Sequence, residues 1–201
     1  NSTLLPSSNQ HTNLGNLRNS YLNARRNKSF TALNDLSAAE TKASATTPGS
    51  RAKVCDAVAA YIDNLIQQGD NAAAAAEAAP AEAKARVDGI STYIATICKQ
   101  LDLPNSCIVA VLIYVERLVA HEKFELTALN WQPSVLAGFV VAAKLCFDEP
   151  VWNEGLVSVL RISNVTVAQI AKWEANFLQL VQFHTNVVLA DYAKACFRLQ
   201  Q

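Results

Sequence analysis

The chain has 201 residues, 51% of them hydrophobic, with 17 basic and 17 acidic side chains and no net charge. That length supports one sizeable domain with a real core and a tail. The charge balance leaves no bulk electrostatic argument for a nucleic-acid or membrane-surface partner. No apolar run reaches the roughly 20 residues of a membrane span, and no charged-then-apolar opening marks a secretory leader.

Residues 1–50 are rich in Asn, Ser, Thr and Ala and hold no lasting apolar period, which predicts an extended or disordered tail. Five Lys/Arg against two Asp/Glu give this segment a weak positive excess. Within it, "RRNKSF" places Arg26 three residues before Ser29, a candidate phosphosite for a basophilic kinase. Asn1, Asn27 and Asn164 open N-x-[ST] sequons, read as accidental without a secretory signal. Methionine is absent, position 1 included, as expected of a fragment or a processed form.

"RAKVCDAVAAYIDNLIQQG" (51–69) carries Val54, Val58, Tyr61, Ile62, Leu65 and Ile66 at three- and four-residue spacing. This predicts an amphipathic helix with Gly69 as its C-cap. An alanine-rich stretch interrupted by Pro80 follows and offers no large side chain to bury, so 70–83 is read as a linker, part of which extends the next helix. From 84 the chain reads as a string of helices. Val87, Ile90, Tyr93, Ile94, Ile97 and Leu101 form one stripe. "LPNS" then breaks it and offers Asn105 or Ser106 as an N-cap. "CIVAVLIYVERLVAHEK" (107–123) and "QPSVLAGFVVAAKLCF" (132–147) are apolar nearly all round and must be central.

Pro150 opens a short helix within 149–163, and 166–183 is amphipathic, with Ile170, Glu174, Phe177 and Val181 on one face. The final helix, 187–201, carries Leu189, Tyr192, Ala193, Cys196 and Leu199. No run alternates as a strand would, so the fold class is all-α, an orthogonal bundle rather than a long coiled coil.

Two charges sit where burial is expensive. Lys144 has Val140, Val141 and Phe147 as helical neighbours; Glu174 has Ile170, Phe177 and Leu178. A buried unpaired charge costs several kcal/mol. Three readings compete: Lys144 snorkels to water, the two form a structural pair at the core edge, or they pair at the rim of an apolar patch that meets a partner protein. Periodicity does not separate the last two.

At this point the residues resemble a family. "LNWQPSVLAGFVVAAKLCFDEPVWNEGLVSV" is similar to the cyclin box, and more narrowly to the cyclin Y and P-type cyclin group. The resemblance rests on Asn130-Trp131, Ala142-Ala143-Lys144, Asp148, Val151-Trp152-Asn153, and downstream Glu174, Phe177-Leu178, Phe183, Val187 and Tyr192-Ala193 with Leu199. "YVERL" (114–118) resembles the family's Tyr-x-(acid)-Arg on the second box helix, and the likeness runs over roughly 84–199. Phe147 departs from the pattern where relatives often carry an aspartate, and Gln132 where a basic residue is common.

The resemblance implies a five-helix cyclin box at 84–183, one additional helix on its N-terminal side (51–69) and one on its C-terminal side (184–201). It implies a regulatory subunit, not an enzyme, that binds and activates a cyclin-dependent protein kinase. Lys144 and Glu174 match the lysine and glutamate that bind near the kinase C helix. Leu145, Leu178 and Phe183 would add apolar contacts, and Asp148, assisted by Asn153, would reach an arginine of the activation segment. The alternative is a cyclin-fold adaptor without kinase activation. No cofactor is implied; the expected state is a monomer or a heterodimer with the kinase, in the cytoplasm or nucleus.

Other constellations carry less. His11, His121 and His184 lack ligand spacing, so no metal site is expected. The five cysteines, Cys55, Cys98, Cys107, Cys146 and Cys196, form no C-x-x-C pair; they read as reduced, mostly buried thiols of an intracellular protein. Cys107 and His121 are better explained as a core cysteine and a helix-end histidine than as a catalytic dyad. Trp131, Trp152 and Trp173 read as packing residues. Glu116 is expected in a structural ion pair holding the first or third box helix, and Arg117 to lie toward solvent or an adjacent loop.

Overall fold

The computed structural model describes residues 48–69, 80–147, 150–160 and 165–200. Residues 1–47 of the predicted tail, with Ser29, most of the alanine-rich linker and Asp148 lie outside the described residues, and the tail's last three positions belong to the first helix. Among those described there are seven helices and no strand: α1 (Pro48–Gly69), α2 (Pro80–Leu101), α3 (Asn105–Val119), α4 (Trp131–Cys146), α5 (Asn153–Leu160), α6 (Val167–Leu180) and α7 (Leu189–Arg198).

α3 is the hub. Its residues 106–115 are all buried, and α1, α4 and α7 pack around it. α4 is buried continuously from Val135 to Ala143, between α3 and α6. This is the arrangement that two helices without a polar face require. α1 lies along α2 with Val58, Ile62 and Ile66 buried, and α5 bridges α2 and α6.

α1 also carries a charge into the interface. Asp63 is 3% exposed; Arg86 of α2 grips both its oxygens and Gln67 donates to it at 2.6 Å. The apolar period hides this pair, because the aspartate falls between two stripe residues, Ile62 and Leu65.

Local details differ from the sequence expectations for identifiable reasons. Gly69 is the last residue of α1 but has no positive φ. Its role is space: a Cβ there would lie 2.2 Å from the carbonyl oxygen of Leu126. Neither Asn105 nor Ser106 caps α3, because the cap position falls one residue earlier, on Pro104, which has no side-chain acceptor. Asn105 Oδ1 instead accepts from Arg51 of α1 at 3.1 Å. α3 ends at Val119, four residues short of the predicted end, where Ala120 and His121 turn back on Glu116 and Leu118. The start of α6 has a full capping box, Thr166 with Gln169, that the apolar period did not announce. On α7 the buried side is Tyr192 and Ala195, so Leu189 is exposed rather than part of the core stripe.

Candidate functional site

Lys144 stands in the last turn of α4, where a cation also suits the helix C-terminus. Glu174 stands on α6 between the buried Ile170 and Phe177. Because α4 packs on α6, the two meet: Lys144 Nζ lies 2.6 Å from both Oε1 and Oε2 of Glu174. Asn153, the first residue of α5, donates from Nδ2 to Glu174 Oε2 at 3.2 Å. Residues from two helices, α4 and α5, thus converge on a carboxylate carried by a third. The side chains of Lys144 and Glu174 are 30% and 15% exposed, which places the pair at the rim of the core and rules out a lysine that snorkels alone. Asn153 Oδ1 is buried and finds no partner among the described residues.

Apolar side chains surround this rim. Leu145, next to Lys144, is 40% exposed and Trp152, next to Asn153, is 65% exposed. The sequence reading of Trp152 as a packing residue is therefore corrected; Trp131 does pack, edge-on against Tyr93 with ring centroids 5.3 Å apart. Leu178, one turn beyond Glu174, is half-buried against the core. Its carbonyl accepts from the Phe183 amide at 2.8 Å, and the Phe183 ring is 68% exposed.

Phe183 is presented by a strained turn. Gln182 and Phe183 have φ of 53° and 57°, the left-handed region that side chains other than glycine avoid. α3 holds the turn in place. Tyr114 donates its hydroxyl to the carbonyl of Thr185 at 2.7 Å. Arg117 Nη1 donates to the carbonyls of His184 at 2.7 Å and Asn186 at 2.9 Å, and Nη2 to Asp191 at 3.1 Å. Burial pushes the Tyr114 phenol above its ordinary range, which keeps it a neutral donor. The Tyr-x-Glu-Arg motif thus acts through its first and last members on the loop 181–188.

Glu116, its acidic member, takes a different partner from the one expected. It pairs at 2.6 Å with Arg198 of α7, because α7 packs on α3. Tyr61 of α1 has its phenol raised by burial first and by the nearby Glu116 second. Asn130, from the Asn-Trp motif, organises the turn before α4. Its Oδ1 accepts from the Thr127 amide and its Nδ2 donates to the Glu125 carbonyl, both at 2.8 Å. Cys107 and His121 lie at opposite ends of α3, some 20 Å apart by helical rise, so they form no dyad. One proximity was missed: Cys107 Sγ and Cys146 Sγ are 2.7 Å apart. A separation of 39 residues and an absence of motif gave no signal for it.

A sizeable all-α unit with a lysine–glutamate pair at its rim and an Asn-Trp turn before the paired lysine's helix invites comparison with known families. The cyclin family model matches residues 24–185, most of the chain. The chain belongs to the cyclin family. No solved structure matches it. Cyclins are regulatory proteins, and α2–α6 make up the five helices of the box, with α1 before and α7 after. The match begins well before the predicted box start at 84 and takes in α1.

Proposed function

We propose that this cyclin binds and activates a cyclin-dependent protein kinase through the face that carries Lys144, Glu174, Leu145, Leu178 and Phe183, with Asn153 and Asp148 toward the activation segment. The observation that carries the reading is the rim pair. Lys144 and Glu174 satisfy each other while part-exposed, and the exposed Leu145 and Trp152 stand next in the chain to Lys144 and to Asn153, which also bonds Glu174. A partly desolvated charge pair beside exposed apolar side chains is what a protein interface uses for register and affinity.

The activation mechanism is conformational selection. A kinase needs its strand lysine paired with its C-helix glutamate and its activation segment ordered. A partner that binds the C-helix-in conformer more tightly shifts the kinase toward it, by about 1.4 kcal/mol for each tenfold of differential affinity. The cyclin performs no chemistry. The family match extends to cyclins as a whole; the narrower assignment to the cyclin Y and P-type group rests on the motifs quoted above and on Asp148, whose proposed role is to stand in for a phosphate.

The test is to mix the purified chain with a panel of cyclin-dependent kinases and measure both complex formation and kinase activity. Binding with stimulation, weakened by about 1–3 kcal/mol in Lys144→Glu and Glu174→Lys, is the expected result. Binding without stimulation would replace this reading with that of a cyclin-fold adaptor. Loss of stimulation in Asp148→Ala with binding retained would assign that residue to the activation segment.

A further inference from the structure

Cys107 lies in the first turn of α3 and Cys146 is the last residue of α4. Their sulfurs are 2.7 Å apart, and neither is in a disulfide. An S–S bond is about 2.05 Å long, so well under one ångström separates the two thiols from bonding distance. We propose that Cys107 and Cys146 are a redox modification site, closed by a hydroperoxide into an intramolecular disulfide that staples the end of α4 to the start of α3.

The accessibility of the two sulfurs assigns their order. Cys107 is 0% exposed, whereas Cys146 is half-buried. The Cys146 thiolate therefore attacks the hydroperoxide. The O–O bond breaks, an alcohol (or water, from hydrogen peroxide) leaves, and Cys146 becomes a sulfenic acid. The Cys107 sulfur then attacks the Cys146 sulfur as its own proton passes to the departing hydroxyl; the S–S bond forms, the S–O bond breaks and water leaves. Two thiols and one hydroperoxide give one disulfide, one alcohol and one water. A dithiol reductant reverses the step through a mixed disulfide.

Two of the other cysteines do not compete. Cys55 and Cys98 are both 0% exposed, and burial raises both thiols, Cys98 to about 12. Little thiolate forms there, and thiolate is the reactive species. The staple would fix the last turn of α4, the turn on which Lys144 and Leu145 stand. The site itself does not depend on what binds that face.

The experiment treats the full chain with hydrogen peroxide, then denatures it and counts alkylated thiols by mass. The expected result is a fall from the five thiols of the reduced chain to three. Peptide mapping should link Cys107 to Cys146 within one chain, and dithiothreitol should restore all five. Cys146→Ser should abolish the link, while Cys196→Ser should leave it intact; Cys107→Ala should also abolish it and avoids a new hydroxyl in the core. Five thiols remaining, a link to another cysteine, a link between chains, or Cys146 over-oxidised without a link would each overturn the proposal. Because the mapping is done on the unmutated chain, a variant that fails to fold does not blur the outcome.

Discussion

Lys144 reaches both carboxylate oxygens of Glu174 at the same 2.6 Å, so the lysine is symmetrically committed to an acid 30 positions away. Each single reversal leaves two like charges facing each other at the core edge. With the pair part-exposed, we expect Lys144→Glu or Glu174→Lys to cost about 1–2 kcal/mol in a denaturant melt. The double reversal recreates an ion pair and should recover most of that loss. Kinase affinity separates the roles. If the pair faces a partner, the double reversal melts almost normally yet binds at least about fivefold more weakly. Recovery of binding along with stability would make the pair purely structural.

The turn that exposes Phe183 depends on α3. Tyr114→Phe deletes one donor and leaves the carbonyl of Thr185 unpaired against a buried ring. The expected loss is about 1–2 kcal/mol. The left-handed backbone of Gln182 and Phe183 is held by such bonds, so amide exchange at 181–186 should quicken more than exchange in α4. Equal acceleration in both would mean that the whole bundle had loosened and the turn had no special dependence on Tyr114.

The helices were legible where burial is one-sided or complete. The stripe Val58–Ile62–Ile66 and the continuously apolar α3 and α4 follow directly from residue type. The Lys144–Glu174 pair was legible as a question, because each charge interrupts an apolar stripe. What the sequence did not carry is which helices touch across long separations. Glu116 finds Arg198 rather than a box-helix partner, Asp63 finds Arg86 inside the α1–α2 interface, and Cys107 finds Cys146. Each depends on packing order, on which periodicity is silent. Trp152 was misjudged for a related reason: an aromatic ring next to a helix start has no period to show whether it faces in or out.

Two glycines should respond in opposite directions to the same change. At Gly69 an added Cβ would meet backbone, the Leu126 carbonyl oxygen at 2.2 Å and its carbon at 3.1 Å, and Leu126 is itself 1% exposed and anchored in the core. Alanine gains up to about 1 kcal/mol of helix propensity, but overpacking against fixed backbone costs about 1–3 kcal/mol, so Gly69→Ala should be destabilising. Gly89 lies inside α2 with nothing within 4 Å of the added atom. Only the propensity acts there, and Gly89→Ala should stabilise by about 0.5–1 kcal/mol. Thermal melts of the two variants side by side check both signs.

Alkali should weaken the fold through its buried thiols and phenols. Burial raises the Cys98 thiol from 9.0 to about 12 and the Tyr93 phenol from 10.0 to about 12, and it raises Cys55 and Tyr114 in the same direction. In the unfolded chain these groups lose their protons near their ordinary values, while in the folded chain they keep them. Between the two values the native state binds more protons, so unfolding becomes easier as pH rises. Stability from these groups is complete below about pH 9 and is lost toward about pH 12, at up to about 1.4 kcal/mol per pH unit for each group. Cys98 and Cys55 start the decline because their ordinary value, 9.0, is the lower one. Guanidinium melts at pH 8, 9, 10 and 11 should therefore show a flat region followed by a fall. Cys98→Val, which keeps the site apolar and removes one titrating group, should make the fall between pH 9 and 10 shallower. An unchanged slope in that variant would show that Cys98 ionises as readily in the folded chain as in the unfolded one.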